Sequence, residues 1–204
     1  MVKIAYANQC ILDMGINDKV TAAIADSTDD YISFLFTTLV DDDLLGLHYE
    51  LKKIPNRNWS LNLRYNRDIS SVGYRYFTDI LSSTITIVEL SIGQNQMNEE
   101  ARISFLNGLS KNRTLKKVNM CENKLNSQDI EYIGRFIQNS PILKQIDLRE
   151  SEIDVDAAIH LAKYLPEGNL EILDLSQNSI SDRGCASLLS SIPPTLLNLS
   201  LRKN

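Results

Sequence analysis

The chain is poor in the residues that usually announce chemistry. Its 204 residues include three cysteines, two histidines and a single tryptophan. Cys10, Cys121 and Cys185 are odd in number, far apart and contain no CxxC, which excludes a disulfide framework and a zinc site of ordinary spacing. No apolar run approaches the ~20 residues that cross a bilayer. The opening MVKIAYANQCILDMGI has one lysine, and Asn8 and Gln9 interrupt its apolar stretch, so it does not read as a signal peptide. A reduced, cytoplasmic compartment is the expectation. A net charge of −5 argues against nucleic acid and against an anionic membrane surface as partners. G-x-S-x-G, P-loop and H-E-x-x-H motifs are all missing. His48 and His160 lie on helix-like segments, away from any plausible nucleophile. No catalytic residue, metal site, cofactor or small-molecule substrate is therefore expected.

What is present is a repeat. NLEILDLSQNSI places Leu170, Leu173, Leu175 and Ile180 on a fixed stagger with Asn178 among them. The same phase gives Leu143, Ile146, Leu148, Ser151 and Ile153 upstream, then Leu115, Val118, Met120, Asn123 and Leu125, then Ile87, Leu90, Ile92, Asn95 and Met97. Leu196, Leu199, Leu201 and Asn204 follow downstream. Weaker copies are Asn58, Leu61, Leu63 and Asn66, then Tyr31, Phe34, Phe36 and Leu39, then Ile4 and Tyr6. Successive central apolar positions are 30, 27, 29, 28, 28, 27 and 26 residues apart, which predicts eight strand segments.

Proline supplies an independent signal. All five prolines fall five to seven residues before a central strand position, where a helix must end and the next strand begin. Between strands the apolar spacing is helical, as in Ile130, Ile133, Phe136 and Ile137. Each unit reads as strand, turn, helix and return.

The pattern L-x-x-L-x-L-x-x-N-x-L, with one helix per unit and a period near 28, resembles the leucine-rich-repeat family, and within it the ribonuclease-inhibitor-like class. The resemblance implies an α/β solenoid of about seven repeats plus a final strand, with parallel strands on a concave face and helices on a convex one. It covers residues 1–204 as one domain, irregular over 1–57 and regular over 58–204. Ser151 and Leu39 stand where the motif has asparagine, and Asn58 stands where it has the first leucine. The paired repeats of the vertebrate inhibitor are absent, so its ribonuclease target does not carry over. The motif asparagines are expected to bond backbone in ladders that Ser151 interrupts. At Asn204 the motif stops before any helix covers Leu199 and Leu201. Either further chain or contact with another molecule is expected to shield that end.

Alternation along the strands selects the side chains expected on the concave face. Those expected to meet a partner are Trp59, Arg64, Tyr65, Glu89, Lys117, Asn119, Glu122, Gln145, Asp147, Arg149, Glu150, Ile172, Asp174, Gln177 and Arg202. Asp147 and Asp174 are equivalent positions on adjacent strands. Arg149 and Lys117 neutralise them, or a basic partner does. Trp59 fits a surface anchor and a core position equally well. Cys121 is expected on the accessible side and Cys185 in the core. The resemblance implies a non-enzymatic protein-binding module, a regulator or inhibitor that blocks a partner sterically. Similar small proteins occur among bacterial effectors delivered into host cells and among eukaryotic regulators. A scaffold or adaptor, or a GTPase-activating protein of the Ran type, is the alternative.

Overall fold

The computed structural model describes residues 18–27, 30–83 and 85–204. Helix α1 (Asp18–Ala25) precedes β1 (Tyr31–Ser33), α2 (Asp41–Lys52), β2 (Asn58–Asn62) and α3 (Ser71–Ser82). Then come β3 (Thr86–Ser91), α4 (Glu99–Lys111), β4 (Lys117–Asn119), α5 (Ser127–Asn139) and β5 (Gln145–Asp147). Helix α6 (Val155–Ala162), a 3-10 turn at Leu165–Glu167, β6 (Ile172–Asp174), α7 (Ser181–Leu189) and β7 (Asn198–Ser200) complete the order. The strands form one parallel sheet in sequence order. Strands stack about 4.8 Å apart and helices about 8–10 Å apart, so the stack bends with the sheet on its inner side. No helix among the described residues is long and apolar enough to cross a membrane. The predicted strand at Ile4 and Tyr6, and Cys10, lie outside the described residues.

One continuous core runs between the sheet and the helices. The first six strands each send an inward residue into it: Ile32, Leu61, Leu90, Val118, Ile146 and Leu173 are all buried. Helices return Leu47, Phe77, Phe105, Phe136 and Leu161 from the other side. At the last unit the core thins. Leu196, Leu199 and Leu201 are only partly buried, and Leu197 is 81% exposed. Helix starts are fixed chemically, because Ser70, Asn98, Asn126 and Asp154 each accept an N–H from the first turn of the helix that follows.

The motif asparagines sit where the chain leaves each strand, and they bond backbone. Asn178 donates to the carbonyls of Leu148 and Leu175 at 2.9 Å and accepts the N–H groups of Ser151 and Ile153 at 2.9 and 3.0 Å. Asn95 accepts the Asn66 N–H at 2.7 Å and donates to Leu63 O. Asn123 donates to Ile92 and Met120, while its Oδ1 is buried without a partner. Ser151 has only a hydroxyl to offer, 3.1 Å from Arg149 O.

The first two units depart from the expected register. Ile32 pairs with Leu61 and Ser33 with Asn62, two residues earlier than the sequence pattern places them. Phe34, rather than Phe36, is therefore the inward residue, and Thr37, rather than Leu39, holds the asparagine position. Leu39 is buried in the place of the motif's last leucine. Between β2 and β3 a bulge, with Val88 of β3 as the extra residue opposite the Trp59–Ser60 step, aligns Trp59 with Ile87. Trp59, not Asn58, thus fills the first-leucine position, and it is fully buried. Its expected place at a binding surface is corrected by that bulge.

Candidate binding face

The solvent side of the sheet carries four aligned columns. The first runs Tyr31, Ser60, Glu89, Lys117, Gln145, Ile172 and Asn198. The second runs Ser33, Asn62, Ser91, Asn119, Asp147, Asp174 and Ser200. Two residues further on stand Leu35, Arg64, Gly93, Cys121, Arg149, Ser176 and Arg202. At the rim stand Phe36, Tyr65, Gln94, Glu122, Glu150, Gln177 and Lys203, every one with φ between 52° and 61°. That left-handed turn lets each rim N–H reach the next unit: Tyr65 to Gly93 O, Glu122 to Arg149 O, Gln177 to Arg202 O. Such a backbone is unusual for side chains other than glycine, and here the stacking imposes it unit after unit.

The second column has a structural duty that sequence reading missed. Asn62, Asn119, Asp147 and Asp174 each accept the N–H two residues on, from Arg64, Cys121, Arg149 and Ser176 at 3.2, 3.1, 3.1 and 2.9 Å. This is the short-range bond that Asn and Asp offer wherever a chain turns. An Asn or Asp two residues before the turn was the available signal.

The structure shows how the acidic pair is held. Arg149 Nε lies 2.9 Å from Asp147 Oδ1, its Nη2 lies 2.7 Å from Oδ2, and its Nε lies 3.5 Å from Asp174 Oδ2. Asn119 adds a bond to Asp147 at 3.0 Å. The bond from Asp147 pushes the Arg149 guanidinium further up from its already high range. Asp147 is buried beneath that clamp. Lys117 takes no part, because it pairs with Glu89 at 2.7 Å. Arg149 alone therefore serves both carboxylates, forked onto Asp147 and at longer range from Asp174.

Arg64 is held differently. Its guanidinium is 3.8 Å from Glu122 and 5.4 Å from the Tyr65 ring centre, and its Nε is buried without an acceptor. Gly93 makes room for it: a Cβ there would stand 3.4 Å from Arg64 Nε and 2.8 Å from Cys121 Sγ. Cys121 is accordingly buried, contrary to its expected accessibility, and burial pushes its thiol up despite nearby Arg64. Cys185 is half-buried against the core.

Of the remaining expected residues, Glu89, Glu122, Gln145 and Gln177 are at least partly open to solvent, and Lys117, Glu150, Ile172 and Arg202 are exposed. A shallow groove of about 310 Å³ crosses their columns between Tyr31, Asn62, Glu89, Ser91, Lys117 and Gln145. Sequence reading passed over Tyr31 and Phe36, which the two-residue shift of β1 turns outward. Phe36 stacks on Tyr65 with ring centres 3.9 Å apart. The histidines lie elsewhere: His160 stacks on Tyr164, and burial, then Lys52, hold His48 below its usual range. No group of three or more His, Cys, Asp or Glu among the described residues is placed to hold a metal ion.

A family model described as Leucine Rich repeat matches residues 169–189, the unit with the most regular motif. No curated protein matches the chain.

Proposed function

We propose that this chain of stacked leucine-rich-repeat-like units, matched to that family at residues 169–189, is a protein-interaction module, and specifically a regulator that binds one partner protein across the concave sheet face and blocks it sterically. The observation that carries this reading is the face itself. Seven strands in one parallel sheet present outward columns on which Tyr31, Lys117, Ile172 and Arg202 are exposed. Side chains fixed by stacking meet a partner with little ordering cost. The ribonuclease-inhibitor-like class fits the long, helix-bearing unit. We favour inhibition over scaffolding, since an arc that covers a broad surface occludes what it binds.

The test is affinity capture from the native cell with three proteins in parallel. Lys117→Glu combined with Ile172→Arg alters two exposed face positions, and Lys163→Glu alters the exposed helix side. A partner retained by wild type and Lys163→Glu, but lost by the face variant, supports the reading. Any enzyme so recovered is then assayed with and without the protein. Retention by the face variant and loss by Lys163→Glu would move the interface to the helices.

A further inference from the structure

Resting on that reading, we infer that the energetic centre of the interface is the aromatic end of the face, and that it takes a partner segment in which an apolar side chain stands beside an Asp or Glu carboxylate. The exposed large apolar side chains of the face gather at the first two units. Tyr31 is 51% exposed, Leu35 41% and Phe36 62%, and among the described residues only Ile172 is a large apolar side chain exposed elsewhere on the face. Large exposed apolar groups in contiguous array mark interaction sites on soluble proteins. Tyrosine and arginine are the residue types that dominate binding energy.

The patch is also built. Asn62 Nδ2 lies 3.3 Å from the Tyr31 hydroxyl, and Phe36 lies flat on Tyr65. The left-handed turns at Phe36 and Tyr65 fix both rings at the rim. Rings restrained in the free protein lose little freedom on binding.

Charge supplies the second half of the recognition. Among the described residues the Arg64 guanidinium donates no hydrogen bond; Glu122 approaches it only to 3.8 Å, and its Nε faces no acceptor. Arg149, in the same column three units along, is instead forked onto Asp147 and lies 3.5 Å from Asp174. The aromatic end therefore retains, beside an apolar shelf, a partly exposed guanidinium that no described side chain hydrogen-bonds and that only Glu122 approaches. A carboxylate placed there gains a forked, charge-assisted pair. A basic segment finds the Glu89 carboxylate already engaged by Lys117 at 2.7 Å.

A random-sequence peptide library displayed on phage, selected against the full chain, is the probe. The enriched peptides are expected to share an acidic residue within one or two positions of an aromatic or large aliphatic one. One such peptide, synthesised, should bind Phe36→Ala and Arg64→Ala at least about tenfold more weakly, and Lys163→Glu unchanged. Arg64→Glu should redirect selection toward peptides with Lys or Arg at the acidic position. All these positions are at least partly exposed, so circular dichroism is expected to match wild type. Peptides without an acidic residue, indifference to Arg64→Glu, or no enrichment over a Phe36→Ala/Arg64→Ala double variant used as bait would each overturn the inference. Peptides lost on Lys117→Glu/Ile172→Arg, but not on Phe36→Ala or Arg64→Ala, would overturn it while leaving the concave-face reading intact. Self-association in sedimentation that Phe36→Ala abolishes would assign the patch to a second copy of the chain, also overturning it.

Discussion

Arg64 and Arg149 occupy the same place in their units, three units apart, yet one closes on the protein and the other remains open. Each follows by two residues an Asn or Asp whose side chain takes its backbone N–H. The difference lies in that neighbour. Asn62 is neutral and offers no charge, whereas Asp147, with Asp174 across the sheet, draws the Arg149 fork down into a clamp. In a stacked repeat the backbone fixes where a side chain starts, and the adjacent columns determine whether it has anything left for a partner. The β4–β6 stretch of the face is thus the self-satisfied one, and the β1–β2 stretch carries exposed rings and an idle cation.

The most disruptive way to break that contrast is to remove the support under the clamped half. Asn178 bonds four backbone groups of its own and the preceding unit that water cannot easily replace. Asn178→Ala should cost about 1–3 kcal/mol in denaturant unfolding, the penalty of leaving buried groups unpaired. Asn198→Ala, at an exposed position of β7, should lie within about 0.5 kcal/mol of wild type. Equal midpoints for the two variants would reject a structural role for the asparagines.

A second variant tests the arginines directly. Arg149→Ala leaves Asp147 and Asp174 facing one another on neighbouring strands, and like charges so placed oppose the sheet. The loss should be about 1–2 kcal/mol, at the low end for charged hydrogen bonds because the pair is partly screened by water. Arg64→Ala gives up no hydrogen bond and should stay within about 0.5 kcal/mol. Comparable losses would mean that Arg64 is also closed on the protein.

How far the sequence could foresee these differences depends on the unit. From Ile87 to Leu201 the leucine stagger is unbroken, and it determines strand register, inward residues and the asparagine positions correctly. It fails at β1 and β2, where aromatic residues replace leucine. From Tyr31 to Phe36 every residue but Ser33 is apolar, so hydrophobicity does not say which face is inward. Only pairing with β2 settles that Ile32 and Phe34 point to the core. Trp59 escaped for a similar reason, since a bulge cannot be read from a period. The clamp was half legible: the sequence shows acids beside Arg149, but not that Lys117 turns away to Glu89.

The rim provides a subtler comparison, because Tyr65 and Glu150 share one backbone shape, at φ 61° and 52°. Glu150 is exposed and makes no side-chain bond among the described residues, so surface intuition calls it replaceable. Glu150→Val should nevertheless cost about 1 kcal/mol, since a β-branched side chain suits that turn worst. Glu150→Gly should be neutral or slightly stabilising, glycine's entropic cost offsetting the relief. Thermal melting of the three proteins ranks them; a harmless valine would show that the rim is free to relax.

The smallest effect separates the halves by pH. His48, in α2 behind the first strands, is the histidine held below its ordinary value of 6.5, chiefly by burial and then by the charge of Lys52, with Asp79 and a backbone bond at Tyr76 opposing. The folded protein thus binds this proton less readily than the unfolded chain. Stability from the neutral ring is fully present above about pH 6.5 and is lost as pH falls through the lower folded value. Carboxylates titrate mainly below that window. Unfolding midpoints measured from pH 7.5 down to 5 should therefore decline for wild type and stay flatter for His48→Gln. Hydrogen exchange at pH 5.5 should loosen the amides of α2 before those of α5 or α6, because the strain is local to the ring's surroundings. A decline of the same slope in His48→Gln, or loosening that begins in α5, would show that the acid sensitivity belongs to other groups and that the two halves respond as one.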